Sequence, residues 1–202
     1  MDWDEKWRDR LTDGRHAETT GVPNRFLVGV VEGMHEGRAL DLACGAGRNA
    51  VWLVERGWSV IGVDFSEVAL ATARHLATER GVEVEWIKAD VLDYVPEQAG
   101  FDLVLVLYLQ LPSDERRRVL TRARDALLPG GTLLVVGHDS SNLSEGYGGP
   151  KNPDVLFTAA DIAGDVAGLV IRRAQRVERA VSTDDGERIA LDALVLAQRP
   201  DA

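Results

Sequence analysis

A glycine-rich turn between an apolar run and a helical pattern is the first feature of the sequence that could bind a ligand. Residues 38–43 read Arg-Ala-Leu-Asp-Leu-Ala, Gly45 and Gly47 follow, and a segment of helical period begins at Arg48. Glycines at a strand-to-helix turn let the backbone approach a ligand closely, as in the fingerprint of nucleotide-binding α/β folds. The spacing therefore predicts a nucleotide-like ligand at this turn.

Three aspartates stand at the ends of three successive strand-like runs. Asp41 lies near the end of the first run, Asp64 ends the second, 19 residues after Gly45, and Asp90 closes the third. An acidic residue about 20 residues after the glycines binds ribose hydroxyls in such folds. The carboxylate of Asp41 would repel a dinucleotide pyrophosphate but attract an ammonium group, and Asp90 can accept a hydrogen bond from an adenine amine. An ammonium, a ribose diol and an adenine amine together describe S-adenosylmethionine.

The aspartates also have purely structural interpretations, because Asp64 could begin a helix and Asp90 could stabilise a turn. Their joint position at the carboxyl ends of strands, where open α/β sheets bind ligands, favours the ligand-binding interpretation. We read Cys44, inside the turn, as a packing residue. The residues expected to hold the cofactor are those of the turn, the strand ends and their neighbours: Asp41, Ala43, Gly45, Gly47, Arg48, Asn49, Asp64, Phe65, Ser66, Asp90, Val91 and Leu107.

Strand-length apolar runs alternate with helical patterns and supply the elements that must position these residues. After residue 168 two strand-like runs flank an Asp-Gly turn, which is typical of a hairpin. The predicted fold is α/β, a Rossmann-like, seven-stranded, mostly parallel sheet with helices on both faces and an antiparallel C-terminal hairpin strand. The predicted strands are Arg38–Ala43, Trp58–Val63, Val82–Lys88, Phe101–Leu107, Thr132–Gly137, Leu169–Val181 and Glu187–Gln198, and the main helices are Arg48–Arg56, Ser66–Arg80 and Ser113–Leu128.

Length and charge limit the classes of partner. The 202 residues fit one structural domain, with residues 1–37 as an N-terminal helical lid segment and residues 38–202 as the cofactor-binding domain. The formal net charge of −10 counts against nucleic acid or an anionic membrane as a partner. We therefore expect a small-molecule partner and, since there is no membrane-length apolar run or signal-peptide pattern, a cytoplasmic location. The histidines and the single cysteine show no metal-ligand spacing, so no metal is expected.

With these motifs, the sequence resembles the class I S-adenosylmethionine-dependent methyltransferases from about Arg38 onwards. The segment Asp41–Gly47 resembles the first motif of that family, Asp64 the second and Asp90 the third. Ala43 departs from the pattern, because many members have glycine at this position. Within the class, the chain is most similar to tellurite-resistance and thiopurine-type small-molecule methyltransferases. The resemblance implies in-line methyl transfer from S-adenosyl-L-methionine to a small-molecule acceptor, with sulfur or chalcogen nucleophiles as one acceptor class, and S-adenosyl-L-homocysteine as product.

Candidates for contact with the acceptor follow the fourth and fifth predicted strands and the terminal turn. Tyr108 lies after the fourth strand, on the edge where the resemblance places the substrate. His138 is either a proton acceptor or substrate ligand, or a loop histidine paired with Asp139 or solvent. Arg188 resembles a basic residue proposed to bind an oxyanion in tellurite-type members, or is a solvated charge at a strand end. Arg179 resembles a second such residue only if the sequences are shifted by about two positions.

Two other functions fit the glycine spacing. One is a nicotinamide-dependent oxidoreductase. Two features disfavour it, namely Asp41 and the antiparallel terminal hairpin. The other is a non-catalytic cofactor-binding module that regulates or scaffolds a partner. Turnover of S-adenosylmethionine with any acceptor would distinguish an enzyme from such a module.

Overall fold

The computed structural model describes residues 3–12, 21–183 and 185–201, and the chain divides into two compact units, residues 1–95 and 96–202. Residues 13–20 of the predicted lid segment and Asp184 of the predicted hairpin turn lie outside the described residues. The predicted boundary between a lid segment and a cofactor-binding domain at residue 37 stays a prediction.

The first unit contains a parallel sheet of three strands with the order β3-β2-β1. Asp41 on β1 lies beside Gly62 of β2, and Asp64 at the end of β2 lies beside Lys88 of β3, so the strands end at a common edge. The elements of this unit are α1 (Trp3–Thr12), α2 (Arg25–Val31), β1 (Arg38–Leu42), α3 (Arg48–Val54), β2 (Ser59–Asp64), α4 (Glu67–Arg80) and β3 (Glu85–Lys88).

Helix α4 shows how the local sequence sets an element next to the candidate site. Ser66 caps its first turn, because the Ser66 hydroxyl accepts a hydrogen bond from the Ala69 amide at 3.1 Å. The helix ends at Gly81, whose φ of 66° is a left-handed conformation that glycine adopts without strain. Leu70 and Ala73 are fully buried in this unit, so the start of α4 is fixed directly after β2.

The second unit contains four strands in the order β4-β5-β7-β6. Strands β4 and β5 are parallel, while β7 pairs antiparallel with both β5 and β6. In this register His138 of β5 lies opposite Asp192 of β7. The elements are β4 (Phe101–Leu107), α5 (Ser113–Ala126), β5 (Leu127–His138), α6 (Asn142–Glu145), a 3₁₀ turn (Pro153–Val155), α7 (Ala159–Asp165), β6 (Val170–Thr183) and β7 (Gly186–Gln198).

Two features of the second unit differ from the sequence-based prediction. Strand β5 begins at Leu127, directly after α5, rather than at Thr132. Helix α7 was not predicted, although a capping box marks its start: the Thr158 hydroxyl accepts from the Asp161 amide, and the Asp161 carboxylate accepts from the Thr158 amide. The helix is only seven residues long, too short for a clear helical period.

The predicted fold class is confirmed, a Rossmann-like seven-stranded and mostly parallel sheet with an antiparallel C-terminal hairpin. None of the helices in the described part of the chain is long and apolar enough to cross a membrane. The cytoplasmic location stays a prediction.

Candidate functional site

The turn after β1 holds three residues in the left-handed backbone conformation, with φ of 59° at Ala43, 56° at Gly45 and 77° at Gly47. The Gly47 amide closes the turn by donating to the Cys44 carbonyl at 3.1 Å. An L-residue such as Ala43 is strained here by about 1 kcal/mol, whereas glycine is not. Ala43 therefore adopts, at an energetic cost, a conformation that glycine would adopt without strain.

Asp41 is a buried carboxylate with an unused oxygen. Its side chain is 1% exposed, and its Oδ2 atom has no hydrogen-bond partner in the described structure. Burial and the charge of Asp64 raise the pKa of Asp41 to about 7, although the positive charge of Arg48 acts to lower it. An ammonium group from a ligand would satisfy the oxygen and favour the ionised form. The site thus fits the amino group of S-adenosylmethionine.

Asp64 connects the glycine turn to the start of α4. Its Oδ2 accepts a hydrogen bond from the Gly45 amide and its Oδ1 accepts one from the Ser66 amide, both at 2.9 Å. Burial raises the pKa of Asp64, while these amides act in the opposite direction. The helix-start interpretation of Asp64 is therefore correct, and each oxygen keeps a second lone pair that a ribose hydroxyl can use.

The end of β3 and the residue after Asp64 provide further polar and apolar surface. Asp90 is exposed, and its Oδ1 accepts a hydrogen bond from the Leu92 amide at 2.9 Å, so it does stabilise a turn. Phe65 is 43% exposed, whereas Val91 is buried. The contact of these residues with a cofactor stays a prediction.

Two predicted cofactor residues, Arg48 and Asn49, contact the segment around α2. The Asn49 Oδ1 accepts a hydrogen bond from the Asn24 amide at 2.8 Å, and the Arg48 guanidinium donates to the Val22 carbonyl at 3.3 Å. Asn24 in turn caps α2. These contacts give both residues a structural role, and their contact with a cofactor stays a prediction.

Helix α1 covers the glycine turn. The buried Trp7 packs against Ala46 and Ala69, and a Cβ on Gly45 would lie 2.8 Å from the Trp7 ring. On the same helix, the Asp4 carboxylate accepts a hydrogen bond from the Ser66 hydroxyl. The first helix of the predicted lid segment is thus anchored to the turn and to the start of α4.

Cys44, inside the glycine turn, is buried among these groups. Burial, with the nearby charges of Asp41 and Asp64, raises the pKa of the Cys44 thiol well above its usual value. The thiolate, which is the nucleophilic form of cysteine, is therefore disfavoured. This environment agrees with the prediction that Cys44 is a packing residue.

The second unit carries a separate cluster of four polar side chains, centred on Asp192, which is fully buried. Its Oδ2 accepts hydrogen bonds from the Tyr108 hydroxyl and from the Arg179 Nε, both at 2.7 Å. The His138 Nδ1 lies 3.4 Å from the Asp192 Oδ1. We call these residues, Tyr108, His138, Arg179 and Asp192, the Asp192 cluster.

The electrostatics of the Asp192 cluster favour an ionised Asp192 and a neutral Tyr108. Burial opposes ionisation of Asp192, but the contacts from His138, Arg179 and Tyr108 outweigh it and lower its pKa. Burial and the charge of Asp192 raise the pKa of Tyr108. The Tyr108 backbone is itself strained, with φ of 59°, and the hydrogen bond from its hydroxyl to Asp192 orients its side chain.

The structure brings Tyr108 and His138 together but not Arg188. The Tyr108 and His138 rings are 5.3 Å apart between centroids. Arg188 is exposed and lies opposite Val181 near the hairpin end, four residues before Asp192 on β7. Its proposed role in binding an oxyanion stays a prediction.

Sequence reasoning missed Asp192 and treated Arg179 as doubtful. The available signal was a single charged residue inside the apolar run 189–197. The expected alternative partner of His138, Asp139, is instead engaged with Ser141, whose amide and hydroxyl both donate to its Oδ1.

Comparisons with known proteins show what this chain is similar to. Residues 39–131 match a family model described as a methyltransferase domain. Over 101 residues the chain is 38% identical to the demethylmenaquinone methyltransferase of Thermus thermophilus, covering 49% of this chain and 46% of the relative. Over 188 residues it is 32% identical to the glycine N-methyltransferase of Rattus norvegicus, covering 82% of this chain and 61% of the relative.

The fold is shared with solved structures at low sequence identity. TehB from Haemophilus influenzae superposes with a TM-score of 0.74 at 17% identity, over 87% of this chain and 62% of that one. The chain spans about half the length of the curated relatives that it matches. The matched region, residues 39–131, includes the glycine turn, Asp41, Asp64 and Asp90, and its family implies S-adenosyl-L-methionine as the cofactor. The resemblance read from the sequence is confirmed: the chain carries a class I S-adenosylmethionine-dependent methyltransferase domain.

Proposed function

We propose that this chain is an enzyme that transfers a methyl group from S-adenosylmethionine to a small-molecule acceptor. The observation that carries the proposal is the buried Oδ2 of Asp41, which has no hydrogen-bond partner in the described structure and lies on the strand that enters the glycine turn. A buried acceptor without a donor costs about 1–3 kcal/mol. A ligand ammonium removes that cost, whereas the anionic phosphates of a nicotinamide dinucleotide would increase it.

The other first-unit residues provide complementary groups for the rest of the cofactor. Asp64 presents oxygens to the ribose hydroxyls while its backbone contacts hold it in place. The half-exposed ring of Phe65 provides an apolar surface for adenine. The Asp90 carboxylate provides a hydrogen-bond acceptor for the adenine amine. When bound, the cofactor supplies an electrophilic methyl group, so these residues need only bind and orient it.

A small-molecule acceptor is supported by the charge of the chain and by the names of its relatives. The net charge of −10 disfavours a polyanionic substrate. The relatives described above are named for methylation of demethylmenaquinone and of glycine, which are both small molecules. A thiol or chalcogen acceptor remains one class within this proposal.

Calorimetric titration with S-adenosylhomocysteine and with NAD tests the proposal. We expect one molecule of S-adenosylhomocysteine to bind per chain and NAD not to bind. Asp41→Asn should weaken S-adenosylhomocysteine binding about 10- to 150-fold, as loss of a hydrogen bond to a charged group predicts. The matched control is Asp154→Asn, an exposed aspartate of the second unit, which should leave the affinity unchanged. Binding of NAD without S-adenosylhomocysteine would overturn the proposal.

A further inference from the structure

The Asp192 cluster indicates which acceptor this methyltransferase accepts. We propose that Asp192 is a positioning residue that orients His138 as general base for a neutral acceptor with a phenol-like hydroxyl on an apolar body. This inference rests on the proposed function, and it adds the acceptor class and the role of Asp192.

The position of Asp192 relative to His138 supports its role. The two residues lie opposite each other on paired strands β5 and β7, and Asp192 is fully buried. The His138 Nδ1 is also buried, and Asp192 Oδ1 at 3.4 Å is a carboxylate within reach of this otherwise unpartnered nitrogen of the described structure. Catalytic hydrogen bonds are often long in a free enzyme and shorten when substrate binds. A carboxylate beside Nδ1 keeps the proton on that nitrogen, so Nε2 has the free lone pair that a general base needs.

The charges around His138 favour a neutral acceptor over an oxyanion. Asp192 on β7 and Tyr108 after β4 lie beside its ring, and Arg179 on β6 forms an ion pair with Asp192. Arg179 directs both Nε and Nη2 at the Asp192 carboxylate, at 2.7 and 3.4 Å. Its positive charge is therefore balanced within the cluster, and the cluster offers no net positive charge to a selenite-like or tellurite-like anion.

The segment that packs against His138 carries exposed apolar side chains and suits an acceptor with an apolar body. The segment 142–149 is fixed to β7, because the Tyr147 amide donates to the Ile189 carbonyl at 2.9 Å. Gly149 of this segment lies against the His138 ring, since a Cβ there would be 3.0 Å from it. Leu143 and Tyr147 of this segment are 39% and 45% exposed, and Ile189 on β7 is 41% exposed, so each offers apolar surface to a ligand.

Proton affinities narrow the acceptor to a phenol-like hydroxyl. A phenol, with a pKa of about 10, keeps its proton at neutral pH, and a neutral imidazole can accept that proton in a transition state. A thiol, with a pKa of about 8.5, depends less on such a base, and an alkyl alcohol, as the weaker acid, gives up its proton less readily than a phenol. In the proposed step the hydroxyl proton passes to Nε2 of His138 and the acceptor oxygen bonds to the methyl carbon. The carbon–sulfur bond breaks with its electron pair on sulfur, and His138 later releases the proton to water.

The test compares wild-type protein with His138→Gln, Asp192→Asn and the control His75→Gln, an exposed histidine on α4. The acceptors are 4-tert-butylcatechol, 2-mercaptoethanol and selenite, and S-adenosylhomocysteine release is followed. We expect methylation of the catechol alone. His138→Gln should lower kcat about 10²- to 10⁴-fold, and Asp192→Asn up to about 10⁴-fold with KM almost unchanged, because the histidine then adopts the wrong tautomer. His75→Gln should leave kcat unchanged.

A readout independent of activity tests the positioning role. In protein labelled with ¹⁵N-histidine, the NMR signals of His138 should show the Nδ1–H tautomer in wild type and a mixture of tautomers in Asp192→Asn. Identical tautomers in both proteins would overturn the role of Asp192, and this measurement also applies if Asp192→Asn turns over too slowly to assay.

Failure of the inference differs from failure of the proposed function. If wild-type protein binds S-adenosylhomocysteine but methylates the thiol or selenite and not the catechol, the acceptor class is wrong and the methyltransferase proposal stands. If it does not bind S-adenosylhomocysteine, both are wrong. An unchanged kcat in His138→Gln would also overturn the inference.

Discussion

The carboxylate of Asp64 accepts a hydrogen bond of 2.9 Å from the backbone amide of Gly45, which lies 19 residues earlier in the chain. Its other oxygen accepts the Ser66 amide. The Asp64 side chain therefore connects the glycine turn to the start of α4. In our proposal the same side chain also binds the ribose, so it both shapes the cofactor site and contacts the cofactor.

We expect Asp64→Ala to affect stability and binding together. Loss of two hydrogen bonds to a charged group should lower the free energy of unfolding by about 2–3 kcal/mol, partly offset by relief of the buried charge. The dissociation constant for S-adenosylhomocysteine should rise about 10- to 150-fold. Urea unfolding and calorimetry measure the two effects, with Asp154→Ala as the exposed control. Unchanged affinity would remove the ribose assignment.

Asp41 should make the free protein less stable as pH rises. Its pKa is about 7 in the folded chain, above the value of about 3.9 expected when unfolded. The unfolded chain therefore loses this proton first, and the free energy of unfolding falls between about pH 4 and pH 7. Asp41→Asn removes this penalty, so it should stabilise the free protein by roughly 2–4 kcal/mol at pH 8 and very little at pH 4. Urea unfolding at both pH values checks this; an equal effect at both contradicts it.

The same carboxyl should couple cofactor binding to pH. Binding of the ligand ammonium requires ionised Asp41, so S-adenosylhomocysteine affinity should fall about tenfold per unit below pH 7. Binding at pH 6 should release about one proton. Calorimetry in two buffers of different ionisation enthalpy measures that release. In Asp41→Asn the release should disappear, and a wild-type affinity that is constant from pH 6 to pH 8 would refute the coupling.

The strain at Ala43 can be tested by restoring glycine. Its φ of 59° is unfavourable for alanine, so Ala43→Gly should raise the free energy of unfolding by about 1 kcal/mol. The control is Ala71→Gly at an exposed position of α4, which should lower it by about 1 kcal/mol. If both substitutions destabilise the protein equally, Ala43 is not strained.

Packing of Trp7 on the glycine turn predicts an energetic coupling with Gly45. A Cβ on Gly45 would lie 2.8 Å from the Trp7 ring, whereas one on Gly47 would meet Trp86 and Ala73. Gly45→Ala should therefore cost about 1 kcal/mol less in a Trp7→Ala background than in wild type. The cost of Gly47→Ala should be the same in both backgrounds. Urea unfolding of the six proteins gives the two double-mutant cycles, and no coupling at Gly45 would contradict the packing.

The placement of the first-unit candidate residues could be predicted because they lie within short segments. A strand, a glycine turn and a helix follow one another directly, so Asp41 and Gly45 are placed by local sequence alone. What the spacing did not show was that Asp64 and Asn49 also hold the backbone, because those contacts join segments that are distant along the chain.

The Asp192 cluster was harder to predict for a physical reason. The pairing of His138 with Asp192, which lies 54 residues later in the chain, depends on the register of two antiparallel strands, and no local pattern fixes that register. The register of β6 on β7 likewise lets Arg179 reach the carboxylate, a contact that the sequence did not predict.

The unsatisfied oxygen of Asp41 links the lifetime of the protein to its cofactor supply. A ligand present at 100 times its dissociation constant adds about 2.7 kcal/mol to the stability of the folded chain. Without the ligand, the protein retains a buried group that favours unfolding, and unfolded chains are removed by cellular proteases. We therefore expect the abundance of the protein in cells to follow the concentration of S-adenosylmethionine.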